Sequence, residues 1–165
     1  SGEIPGPLGA RHPTITPFEA FATSDGYVIV AAGNDVTFAR LAAALGKPAM
    51  AENPDYASNE KRLNNQPKLK TEIESLLKGK PTVHWLAVFE QAAIPAGPIN
   101  NVKQALDHPQ VAARNMLVTV DDPKSGTLKL AGNPMKISGM EDPPTRAAAP
   151  DLDADRAAIL KELGL

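Results

Sequence analysis

The stretch Phe18-Glu19-Ala20-Phe21-Ala22-Thr23-Ser24-Asp25-Gly26-Tyr27-Val28-Ile29-Val30-Ala31-Ala32 decides the fold. Residues 18–23 read as one strand and 27–32 as its partner, because aromatic and β-branched side chains fit a pleated surface. Asp25-Gly26 between them is a two-residue hairpin signal, since a type I′ turn needs positive φ at both central positions. The second strand is apolar on both faces, so it is expected to be central and covered. Gly33 breaks the run. Asn34 or Asp35 then offers a side-chain oxygen to an orphan backbone N–H at a helix start. Phe38, Leu41, Ala42 and Leu45 follow at helical spacing, and Gly46 stands where a left-handed residue ends a helix.

Further along, residues 48–56 look irregular. Helical pattern resumes near Asn59 with an offset at Pro67, and Leu69, Ile73, Leu76 and Leu77 make one apolar face that Gly79 closes. Pro81-Thr82 opens another helix, whose Leu86, Phe89 and Ala93 share a face, with Trp85 packed on a neighbour. Residues 102–106 form a short helix, and Pro109 begins one that ends near Asn115. The alternation of Met116, Val118 and Val120 with Leu117, Thr119 and Asp121 gives a strand. Ser125-Gly126 turns it into a second strand, 127–130. A last helix covers 154–163, with Asp151, Asp153 and Asp155 at its positive end, Lys161 in its last turn and Gly164 beyond. Strands at both ends and helices between them make an α+β fold: a small antiparallel sheet with several helices and extended Pro-rich tails.

Composition bounds the function. The chain has 165 residues, 42% of them apolar, which suits a folded domain with a real core. A net charge of -2 and no stripe of Lys or Arg give no support to nucleic-acid or anionic-membrane binding. There is no cysteine, which excludes thiol catalysis, disulfides and thiolate metal sites and fits a cytoplasmic protein. No apolar run reaches the ~20 residues of a membrane span. Sixteen prolines are about twice the usual share, and they crowd residues 5–17 and 134–150. The start, Ser1-Gly2 rather than Met, reads as a cloning scar or as the start of a cut fragment.

Few residues could carry chemistry. Gly6-Pro7-Leu8-Gly9-Ala10-Arg11-His12-Pro13 is a loop with one fixed charge and one titratable ring. Glycine lacks a Cβ and so permits close approach to a ligand, although such a composition also suits a plain linker. Asp35 reads as part of a helix cap rather than as a catalytic carboxylate. His84 and His108 lack partners at metal-ligand spacing, and Asp151-x-Asp153-x-Asp155 lacks the Gly and Glu of a calcium loop, so no metal is expected. His12 is expected to fix the loop by a hydrogen bond rather than to move protons. No nucleophile elbow, Walker loop or dinucleotide fingerprint occurs.

Ala93-Ile94-Pro95-Ala96-Gly97-Pro98-Ile99-Asn100 reads locally as a tight corner after a helix. It also resembles a signature of the family III CoA-transferases. Further blocks are similar to that family in order and spacing: Arg11-His12-Pro13, Thr16-Pro17-Phe18-Glu19-Ala20-Phe21, Asp107-His108-Pro109-Gln110, Ala113-Arg114-Asn115-Met116 and Asn133-Pro134-Met135-Lys136-Ile137-Ser138.

The resemblance implies the small domain plus C-terminal segment of such an enzyme. Residues 1–16 would be a linker and lead-in loop, 17–132 the small α+β domain, and 133–165 a return segment and helix that pack on a large domain. It implies CoA transfer between an acyl-CoA and a carboxylic acid, with a coenzyme A thioester as substrate and no permanently bound cofactor. An aspartate nucleophile, expected in an N-terminal domain outside this chain, forms mixed anhydrides and an enzyme-CoA thioester. No residue here inherits its catalytic role. Gly6, Gly9, Arg11 and His12 would be substrate-binding, as part of a loop covering the reacting thioester. Family members form interlocked homodimers. An α-methylacyl-CoA racemase-like fragment and a non-catalytic module binding acyl-CoA or a partner remain open alternatives.

Overall fold

The computed structural model describes Gly2, Ile4 and residues 6–165. Its contacts separate into two units, Ser1–Ile99 and Asn100–Leu165. The fold class is the expected α+β.

In the first unit, β1 (Phe18–Ala22) and β2 (Tyr27–Ala31) pair antiparallel, with Phe21 opposite Val28 and Ala22 opposite Tyr27. The turn is not the expected type I′, because neither Asp25 nor Gly26 has positive φ. Four residues, 23–26, connect the strands, closed by the Thr23 N–H on Gly26 O at 2.9 Å. The reason is long-range. Asp25 Oδ1 accepts from the Thr82 N–H at 2.8 Å and the Thr82 hydroxyl at 2.9 Å. It thereby caps α4 (Thr82–Gln91), whose own N-cap Pro81 offers no side-chain acceptor. These two Thr82 donors, the backbone N–H foremost, hold the Asp25 carboxyl below its usual 3.8.

The Ile94–Ile99 corner proves to be a strand as well. Here β3 (Ala96–Pro98) pairs antiparallel with β2, placing Gly97 opposite Ile29 and completing the order β1-β2-β3. Ala93, at φ 52, makes the reversal out of α4. Strand β2 is central, as expected, but only one face is covered. Val28 and Val30 are fully buried, whereas Tyr27 is 57% and Ile29 38% exposed. All the helices of this unit that contribute to the core lie on the Val28 side.

Those helices follow their local signals. Helix α1 (Asp35–Ala44) starts at Asn34, whose side chain accepts from the Thr37 N–H at 2.8 Å, and Gly46 follows its end at φ +74. A 3-10 turn occupies Pro48–Glu52 within the stretch read as irregular. Helices α2 (Asn59–Asn64) and α3 (Gln66–Leu77) meet at Asn65, with Pro67 in the first turn of α3 as expected. Leu69, Ile73 and Leu77 join Phe21, Val28, Val30, Phe38, Leu41 and Phe89 in one core. Trp85 lies beside Phe89 at 5.9 Å and donates its indole N–H to Leu77 O.

Arg62 sits fully buried within this unit. Nε donates to Thr16 O at 2.9 Å, Nη1 to Tyr56 O at 2.9 Å, and Nη2 to Gly33 O at 2.6 Å and Asp35 Oδ1 at 2.8 Å. The guanidinium lies 4.6 Å from the Phe38 ring centroid.

The second unit comprises α5 (Val102–Leu106), α6 (Pro109–Ala113), β4 (Leu117–Asp122), β5 (Gly126–Ala131), β6 (Thr145–Arg146) and α7 (Arg156–Glu162). Strand β4 pairs antiparallel with β5 and parallel with β6. The division between units falls at residue 99, inside the 17–132 stretch that the sequence reading groups together. Among the large apolar side chains of this unit, only Val118 and Val120 are buried. Ile137, Met140, Leu152, Ile159 and Leu163 are more than half exposed.

Two outcomes are expected. Replacing Arg62 by Met strands three carbonyls at an interior site, and should lower the unfolding free energy by about 3 kcal/mol or more. Arg62→Lys, which lacks the fork, should not recover it. Urea unfolding followed through Trp85, the sole tryptophan, measures both. For Asp25, a lowered native pKa means a contribution present above about pH 3.8 and lost as pH falls through the native value. The stability gap between wild type and Asp25→Asn should therefore be full at neutral pH and shrink below pH 4.

Candidate functional site

The loop named from sequence lies exposed at its tip and fixed at its root. Gly6 and Gly9 are exposed, and a Cβ at either would meet nothing within 4 Å. Gly9 turns the chain at φ +66, a conformation that favours glycine. Arg11 is exposed, its Nη1 3.5 Å from Gln66 Oε1. His12 Nδ1 accepts the N–H groups of Thr14 at 3.2 Å and Ile15 at 3.1 Å, and its ring stacks on Phe18 at 5.3 Å. That nitrogen is thus committed to the backbone, which matches the loop-fixing role read from sequence. The four residues lie along one loop but make no hydrogen bond to one another.

Three residues that sequence reasoning passed over hold the root. Asn59 accepts from the Thr16 N–H at 3.0 Å and donates to Thr14 O at 2.8 Å. Arg62 takes Thr16 O. Gly33, read only as a strand breaker, leaves a notch for Ile15: a Cβ built on Gly33 would lie 2.0 Å from Ile15 Cγ2. Ile15, Phe18, Gly33, Asn34, Asp35 and Asn59 line an open depression of about 570 Å³ beside this root.

A polar chain continues beneath. Gln66, whose Oε1 faces Arg11, donates through Nε2 to buried Glu19, which also receives Lys70 Nζ. Lys70 reaches Ala20 O at 3.0 Å, and Glu74 Oε1 accepts the Ala22 N–H at 3.0 Å. These contacts satisfy backbone groups on the outer edge of β1.

Perturbed groups lie elsewhere, and their causes are structural. Desolvation and the Glu72 carboxylate push the Tyr56 hydroxyl up to about 12. The N–H groups of Ser125 and Lys124 lower Asp122, and Lys136 with Arg146 lowers Asp142. In the second unit, a cavity of about 290 Å³ lined by Met135, Ile137 and Met140 holds Lys136 and Arg146, both paired with Asp142. Among the described residues no group of three His, Asp or Glu side chains could hold a metal, and no helix is long and apolar enough to cross a membrane. The loop is an exposed segment held only at its root. It brings no nucleophile paired with a base.

Gly33→Ala should push Ile15 from its notch and cost about 1–3 kcal/mol. Adding Ile15→Ala should restore most of that loss, and thermal melts of the single and double variants measure the rescue.

Comparison with known proteins gives a consistent result. The family model described as CoA-transferase family III matches residues 1–156. The acetyl-CoA:oxalate CoA-transferase of Acetobacter aceti is 41% identical over 162 residues, which is 98% of this chain and 40% of that enzyme. The succinyl-CoA:glutarate CoA-transferase of Homo sapiens is 32% identical over 155 residues, 94% of this chain and 35% of that one. The crystal structure of a CAIB/BAIF family protein from Brucella suis superimposes with a TM-score of 0.76 at 33% identity, over 99% of this chain and 42% of that one. The chain spans about two-fifths of the length of the relatives it matches. With a family model covering nearly all of it, and α+β architecture shared with solved relatives, this chain belongs to the CoA-transferase family III.

Proposed function

We propose that this chain is the C-terminal part of an enzyme that moves CoA between an acyl-CoA and a carboxylic acid. The family match over residues 1–156 carries the reading, because it runs through both units. The nucleophilic aspartate belongs, on this reading, to polypeptide outside the chain, and residues 133–165 return to pack against that polypeptide. The exposed apolar side chains of α7 and its approach, Leu152, Ile159 and Leu163, support this return. So does the open face of the first sheet, where Phe18, Tyr27 and Ile29 are exposed.

The loop at residues 6–16 supplies a cover. Its glycines let backbone approach a thioester, while Arg11 and His12 border the reactants. A cover matters because acyl anhydrides and thioesters hydrolyse when water reaches them. On this reading coenzyme A esters are substrates; the family resemblance further implies a homodimer, and a sequence without cysteine fits the cytoplasm.

The test is a graft. The 162 residues of this chain that align with the Acetobacter aceti enzyme replace the matching segment there, and transfer from acetyl-CoA to oxalate is assayed. The chimera should transfer CoA, and the isolated chain should transfer none to any acid. A folded chimera inert toward every acid tried, or turnover by the isolated chain, would count against the reading.

A further inference from the structure

We propose that Asn59 is a positioning residue for the covering loop, a role that rests on the reading above. One amide grips backbone on both sides of Ile15. Its Nδ2 donates to Thr14 O at 2.8 Å and its Oδ1 accepts from the Thr16 N–H at 3.0 Å. The orientation is unambiguous, because a flipped amide would set N–H against N–H and oxygen against oxygen. Between those two bonds Ile15 fills the Gly33 notch. Three residues along α2, Arg62 holds Thr16 O through Nε. Of the backbone groups from Thr14 to Thr16, all but Ile15 O are thus engaged by side chains, with His12 Nδ1 taking the N–H groups of Thr14 and Ile15.

The tip presents the opposite picture. Gly6, Leu8, Gly9, Ala10 and Arg11 are exposed, and neither glycine has a neighbour in the space its Cβ would fill. A free tip leaves a fixed root, so the direction of the tip is set where the root is clamped. Asn59 supplies two bonds of that clamp without entering the buried core, being itself only half-buried. Arg62 also supports Gly33, Tyr56 and Asp35, so its loss would disturb the whole unit. Asn59 touches the loop more selectively.

The consequence is chemical. Loosening the root lets water compete with the acceptor acid. Water adds to the acyl carbon, the acyl–sulfur bond breaks, the acid takes the hydroxyl, and the CoA thiol takes the remaining proton. A misplaced cover therefore raises hydrolysis relative to transfer.

Asn59→Ala and Asn59→Asp are placed in the chimera, and CoA release without acyl acceptance is divided by transfer. This ratio counts only active molecules, so a lower yield of folded protein leaves it unmoved. The Ala variant should raise the ratio about tenfold, the Asp variant less, since it keeps the acceptor for the Thr16 N–H. An unchanged ratio in both variants overturns the proposal. Amide exchange on the isolated chain gives a separate reading: Asn59→Ala should speed exchange at Thr16 while Val28 and Val30 keep their protection. Thr16 exchange as slow as in wild type also overturns it. An inert wild-type chimera would overturn the CoA-transfer reading and the covering role with it, while the exchange data would still decide whether Asn59 sets the loop.

Discussion

The guanidinium of Arg62 imposes the constraint on which the first unit depends. A fully buried cation must find acceptors for its fork or stay unfolded. Its carbonyl partners belong to Thr16, Gly33 and Tyr56, in three segments that share no regular element. The Asp35 carboxylate is itself largely exposed, so its pairing is screened and contributes little alone. Most of the compensation comes from the three carbonyl dipoles and the face of Phe38. The arrangement fixes where the lead-in loop, the start of α1 and the turn before α2 stand relative to one another. It does so with directional bonds, which an apolar side chain of equal volume could not supply.

The two units differ in how much they hold for themselves. The first gathers its apolar residues into a continuous core and gives its buried charges partners. The second relies on a hairpin, a two-residue parallel bridge and side-chain pairs around Asp142, with nearly all its large apolar groups outside. A sequence whose helices carry apolar stripes without an internal mate is built to meet another surface. The matched relatives, about two and a half times longer, have polypeptide enough to provide one.

Local signals were legible in the sequence; long-range partnerships were not. The caps at Asn34 and Gly46, the break at Pro67, the α5 helix and the β4–β5 hairpin each depend on chemistry within a few residues. The Asp25-Gly26 turn failed because Asp25 answers to Thr82, 57 positions away. Arg62 sits in a polar run, 58–68, where nothing distinguishes a buried guanidinium from a solvated one. Its burial follows only once Thr16 and Gly33 come alongside. Gly97 was hidden because a proline on either side argues against a strand, a rule that β3 meets by lying at the sheet's edge. The loop at residues 6–13 was legible as a loop from its glycines and prolines, but its anchors, Asn59 and Gly33, carry no pattern of their own.

The locked edge of β1 has a consequence for how this chain can fail. Lys70 and Glu74 occupy backbone groups that an incoming strand would need, and at the other edge Pro98 offers no N–H. Neither margin of the sheet can template a growing ribbon. Molecules whose apolar faces remain uncovered can still stick together, but face against face. Through this sheet, an unassembled copy would meet its neighbours face to face rather than by adding strands.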